Sequence, residues 1–144
     1  MKTFFKIIAG ALLIFNGMSA LYGGLNLIVY SEGNSLQLPL DWLQHSPFDN
    51  YLLPGLILFT LNGLSSLFVC VAILLNSKKY PLLILIQGFI LAGWIFTQMI
   101  MIQFVSYLQL LFGIIALLLI LCGLILGKSA HLKNEPRENR IKIA

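Results

Sequence analysis

Apolar residues run along this chain in four blocks, with polar residues gathered between them. The first block, 4–30, is interrupted only by Lys6 near its start and by Asn16, Ser19 and Asn26. The others cover 47–76, 81–104 and 108–127. A helical span needs about 20 predominantly apolar residues, so each block predicts one transmembrane helix. Met18-Ser19-Ala20 faintly resembles a signal-peptide cleavage site, but the apolar run continues ten residues past it, which favours a retained span.

The polar stretches predict how the spans begin and end. Residues 31–46 form a loop with Glu32, Asp41 and His45 but no Lys or Arg. Within it, Pro39-Leu40-Asp41-Trp42-Leu43 predicts one short interfacial turn, with Trp42 at headgroup level. Ser46-Pro47-Phe48-Asp49 predicts the start of the second helix. Ser46 caps it, Pro47 takes the first helical position and Asp49 closes a capping box at the positive helix end. Pro54 lies inside that span and is expected to kink it, because it removes a backbone bond and crowds the carbonyl four residues back. Asn76 to Pro81 is a short basic turn, Val105-Ser106-Tyr107 a tight connection, and 128–144 a basic tail expected to fray beyond its first turn.

Composition turns four helices into a membrane protein. The 144 residues are 59% hydrophobic and 10% charged, against about 25% charged in soluble domains. So few charges could not cover a water-facing surface. The expected fold is an all-α, integral membrane, antiparallel four-helix bundle. Its nine basic residues are Lys2, Lys6, Lys78, Lys79, Lys128, Lys133, Arg137, Arg140 and Lys142. A four-pass chain puts all of them on one side, so the net charge of +4 is a topology signal and not a nucleic-acid footprint. By the positive-inside rule both termini are cytoplasmic and the 31–46 loop is outside.

Helices in lipid associate through close packing and hydrogen bonds. Gly10, Gly17 and Gly24 predict a narrow glycine seam on the first helix. Ala20/Gly24, Ser66/Cys70, Gly88/Ala92 and Gly123/Gly127 give every span a small-xxx-small pair, the last also a candidate for self-association. The polar residues at depth are Asn16, Asn62, Gln87, Thr97 and Gln98. At about 100° per residue, Gln87, Leu91, Trp94, Gln98 and Met101 share one stripe. The simpler reading has these amides bridging helices. The sharper one has Pro54, Asn62, Gln87, Trp94 and Gln98 lining a site for a lipid- or quinone-like ligand between helices 2 and 3, reached near Pro54.

The same residues exclude several chemistries. No Asp, Glu, Lys, Arg or His lies in the hydrocarbon part of any span, which counts against proton-coupled carriers, pumps and voltage sensors. His45 and His131 fall on opposite sides, so they cannot share a haem or metal. Cys70 and Cys122 form no C-x-x-C pair. Asp41, His45, Ser46 and Asp49 gather an acid, an imidazole and a hydroxyl, but with no nucleophile elbow. No catalytic residue, metal or cofactor is predicted.

Ser46-Pro47-Phe48-Asp49-Asn50-Tyr51-Leu52-Leu53-Pro54-Gly55-Leu56-Ile57-Leu58-Phe59 resembles the S-P-F-x-x-Y/F-L-I-P-G-L-I-L-F signature of a family of small uncharacterised bacterial four-pass membrane proteins. Trp94-Ile95-Phe96-Thr97-Gln98, Ser106-Tyr107-Leu108-Gln109 and Leu21-Tyr22-Gly23-Gly24 fit the same family. The resemblance covers 1–127, implies a four-helix membrane fold and a bacterial cytoplasmic membrane, and carries no activity. The expectation is a non-enzymatic accessory or interaction component, with the ligand-binding protein as the alternative. Its partners would be membrane lipids, other membrane-protein subunits or a second copy of itself.

Overall fold

The computed structural model describes residues 1–134 and, within them, the side chains of 1–129. Four helices are long and apolar enough to cross a membrane: α1 Lys2–Val29, α2 Leu52–Leu74, α3 Tyr80–Ile102 and α4 Tyr107–Asn134. Between 28% and 39% of each span's most apolar window is buried within the bundle. The rest, including Phe4, Ile7, Phe68, Phe89 and Leu117, faces outward as an apolar surface. Such a surface suits hydrocarbon and not water, and the molecule is a multi-pass membrane bundle.

The helices pack as two antiparallel hairpins, α1 with α2 and α3 with α4, which meet along α1–α4 and α2–α3. Glycines fix the pairing inside each hairpin. A Cβ on Gly24 would lie 2.7 Å from the Phe59 backbone nitrogen, and one on Gly55 would lie 2.7 Å from Leu27 Cβ. In the second hairpin, a Cβ on Gly123 would lie 2.8 Å from the Leu85 nitrogen, and one on Gly88 would meet Ile120. The predicted seam therefore holds at Gly17 and Gly24 but not at Gly10, which has open space around it. Gly123 meets Leu85 of its own chain, whereas Gly127 has open space around it. Leu13, Ile84, Leu91, Leu119 and Leu126 fill the common core.

At one end the basic residues come together. Lys2 Nζ donates to the Ser129 carbonyl at 2.8 Å, and Lys6 Nζ donates to Asn76 Oδ1 while lying 5.0 Å from the centre of the Tyr80 ring. The N-terminus, the α2–α3 turn and the end of α4 thus share one face. Helix α4 continues to Asn134, so the first residues of the polar tail are helical. Residues 135–144, the rest of the predicted tail, lie outside the described residues.

At the other end, 31–51 folds over the bundle. Two 3-10 turns, Asn34–Leu36 and Leu40–Leu43, lie against α1 and α3 respectively. Tyr51 ties this roof down: its N–H donates to the Ser31 carbonyl at 2.8 Å and its hydroxyl to the Pro39 carbonyl at 2.7 Å. Burial pushes its phenol above the ordinary tyrosine value. Gly33 turns the chain at φ 81°, where a Cβ would collide with the Leu38 carbonyl.

Two expectations for the second helix are corrected. It starts at Leu52 and not at Pro47. Ser46 Oγ donates to the Leu43 carbonyl and accepts from the Phe48 N–H, making a local turn and no helix cap. The tertiary bonds of Tyr51 hold the preceding residues away from helical geometry, and Asn50 Oδ1 accepts the Leu52 N–H instead. Consequently Pro54 stands in the first turn, where a missing N–H costs nothing, and it does not kink the helix. The irregularity is one turn on: Leu58–Leu64 is a π-helix, in which the Ser65 N–H reaches back to the Thr60 carbonyl.

Candidate functional site

The π turn organises the polar residues at depth. As the backbone returns to α register at Ser65, the Leu61 carbonyl is left at the junction. Gln87 Nε2 from α3 donates to it at 3.2 Å, and Gln87 Oε1 accepts from Ser65 Oγ at 2.7 Å. From α1, Asn16 Nδ2 donates to Ser66 Oγ at 2.9 Å and reaches the Asn62 carbonyl at 3.5 Å. Asn62 itself is fully buried, and neither atom of its side-chain amide has a partner among the described residues. Gln87 therefore bridges helices, and Asn62 is a buried cost. Neither lines the cavity under the roof.

The cavity lies closer to the loop end. Its volume is about 580 Å³, inside the range of about 300–1,000 Å³ usual for small-ligand pockets. Helix α1 contributes Asn16 and Ser19, the roof contributes Trp42, α3 contributes Trp94 and Gln98, and the first turns of α4 contribute Gln109 and Phe112. From α2 only Tyr51, just before it, Pro54 and Leu58 reach the wall. Of the five residues predicted from sequence, Pro54, Trp94 and Gln98 line the cavity, whereas Asn62 and Gln87 do not. The space sits between α1, α3 and α4 beneath the roof, and not between α2 and α3. Trp42, expected at headgroup level, forms part of its wall.

Two buried amides give the cavity its polarity. Gln109 is 3% exposed. Its Oε1 accepts the Ser106 N–H at 2.9 Å, while its own N–H donates to Ser106 Oγ at 3.3 Å. This reciprocal pair is a capping box that starts α4. It occupies the amide oxygen and leaves Nε2 without an acceptor among the described residues. Asn16 is the converse: its Nδ2 is committed to Ser66, and no described donor reaches its Oδ1. A neighbouring Gln98 amide and Ser19 hydroxyl also lack protein partners in the described set. Among the described residues, no charged side chain lines the space. The arrangement suits a neutral molecule with one accepting and one donating group.

Gln109 and Asn16 were the residues that sequence reasoning missed as site members. The signal for Gln109 is S-x-x-Q ahead of an apolar run. Asn16 showed as a polar residue at depth on the helix that was not suspected. Asp41 and His45 are both exposed and share no hydrogen bond with each other or with Ser46, whose hydroxyl is engaged by Leu43. Comparison with known proteins adds nothing here: no family model, no curated protein and no solved structure matches the chain.

Proposed function

We propose that the protein binds an uncharged amphiphile drawn from the bilayer, holding its polar head in the cavity under the 31–51 roof. Of the two readings that the sequence opens, accessory component and ligand-binding protein, the cavity favours the second. The observation that carries it is the pair of half-satisfied amides, Gln109 and Asn16, buried in the wall of an otherwise apolar space. Unlike the sealed amide of Asn62, both free groups keep accessible surface, so a ligand carbonyl could accept from Gln109 Nε2 and a ligand hydroxyl donate to Asn16 Oδ1. The accompanying aromatic rings, Trp42, Trp94 and Phe112, offer flat apolar walls to a ring or chain.

The tryptophans make this directly testable, because the chain contains two and both line the cavity. Titrating nanodisc-embedded protein with 2-decyl-1,4-benzoquinone should quench intrinsic fluorescence saturably. Gln109→Leu should weaken that binding by about ten-fold, the effect of losing about 1.4 kcal/mol. Linear, non-saturating quenching, as from collisions in lipid, would count against the proposal.

We also infer the orientation. Basic residues gather at the end opposite the roof, and this bias supports a roof outside a bacterial cytoplasmic membrane, with both termini in the cytoplasm. A C-terminal fluorescent-protein fusion should be bright and a C-terminal alkaline phosphatase fusion inactive. The reverse pattern would invert the assignment.

A further inference from the structure

The cavity has a lipid-side neighbour as well as a roof. Its α1 wall is shared with a shallow groove on the outside of the same helix, because Phe15, Ser19 and Tyr22 border both spaces. Ala11, Ile14 and Met18 complete the groove. Ile14 and Met18 are more than half exposed on the apolar face that meets lipid. One aromatic pair joins the shared wall to α4, and both of its rings line the cavity. Phe15 of α1 and Phe112 of α4 stack at 5.9 Å with their planes 21° apart.

This pair stands on a seam between the hairpins. Every close helix-to-helix approach at a glycine lies inside one hairpin, between α1 and α2 or between α3 and α4. None draws α1 against α4. Stacked rings carry no hydrogen bond to break, so they can part by rotamer change alone. The roof, by contrast, is fastened by the two Tyr51 bonds, by Ser35 Oγ on Asn26 Oδ1 at 2.6 Å and by the buried Leu27–Leu43–Tyr51 cluster. A molecule dissolved in the bilayer meets the weaker barrier at the side.

We propose that the α1–α4 seam is a lateral doorway, and that the ligand is an uncharged head carrying a single long apolar chain. The head lies among Asn16, Gln98 and Gln109. The chain leaves between Phe15 and Phe112 and runs along the Ala11–Tyr22 groove in contact with lipid. A carbonyl- or hydroxyl-bearing head on one chain is the chemistry shared by alkyl quinones and monoacylglycerols. The inference rests on the cavity reading above, and deepens it by naming the ligand class and the route.

The test places a photoreactive benzophenone side chain at Met18, in the groove, and in a second protein at Phe89, an exposed position on α3. Each is reconstituted in nanodiscs with 2-decyl-1,4-benzoquinone in one arm and 1-monodecanoylglycerol in the other. Cross-linking to the probe should be at least five-fold higher from Met18 than from Phe89 in one arm. An excess of the unreacted probe should abolish that difference, and the arm that responds identifies the head. Equal yields at both positions in both arms, with saturable tryptophan quenching intact, would overturn the doorway while leaving the cavity reading standing. Equal yields together with no saturable quenching would overturn both.

Discussion

Alanine at Gly24 is expected to destabilise the bundle by about 3 kcal/mol, the upper range for overpacking, and leucine there to prevent folding. The added Cβ would lie 2.7 Å from the Phe59 nitrogen and 2.8 Å from its Cα. These are backbone atoms, so no rotamer change can make room, and α1 must move away from α2. Gly123→Ala should behave alike in the other hairpin, where the obstruction is the Leu85 backbone at 2.8–2.9 Å. Gly10→Ala and Gly127→Ala are the controls. A Cβ at either meets nothing within 4 Å, and removing a helical glycine should stabilise by up to about 1 kcal/mol. Unfolding by SDS titration from mild-detergent micelles measures all four. If Gly24→Ala and Gly10→Ala shift the midpoint in the same direction, the hairpin packing described here is wrong.

The second large effect has the opposite sign. Asn62→Leu is expected to stabilise the protein by about 1–3 kcal/mol, because it removes two polar atoms that are buried without partners. In lipid no water relieves such a group. Gln87→Leu should instead cost about 1 kcal/mol, since it strips the Leu61 carbonyl of the α3 donor and leaves Ser65 Oγ as its remaining partner. The same SDS titration reads both. A destabilised Asn62→Leu would mean that the amide has a partner, such as a buried water.

That contrast shows where sequence reading stops. Asn62 and Gln87 are both amides at membrane depth, and helical projection gave them one role. The π turn gave them two. It moved the Leu61 carbonyl within reach of Gln87, while the Asn62 amide lies buried without a partner among the described residues. The capping signals fared in a similar way. Ser46-Pro47-Phe48-Asp49 and Ser106-Tyr107-Leu108-Gln109 both carry a serine three residues before an acceptor side chain. Only the second caps a helix, because no tertiary bond competes for it, whereas Tyr51 and its bonds to Ser31 and Pro39 hold the first in a turn. Pro54, Trp94 and Gln98 reach the cavity, yet most of the remaining wall comes from α1, α4 and the roof.

The sequence by itself determined the number of spans, their approximate limits, the gathering of basic residues at one end and the absence of charge inside the membrane. These depend on hydrophobic transfer and on chain order, which act residue by residue. Tertiary structure alone decided which glycines touch backbone, where the second helix starts, that its irregular turn lies at Leu58–Leu64 and not at Pro54, and that most of the cavity wall comes from α1, α3 and α4. Each of those depends on which surfaces meet. In a four-helix bundle, helical periodicity shows what lies on a face but not which neighbour that face receives.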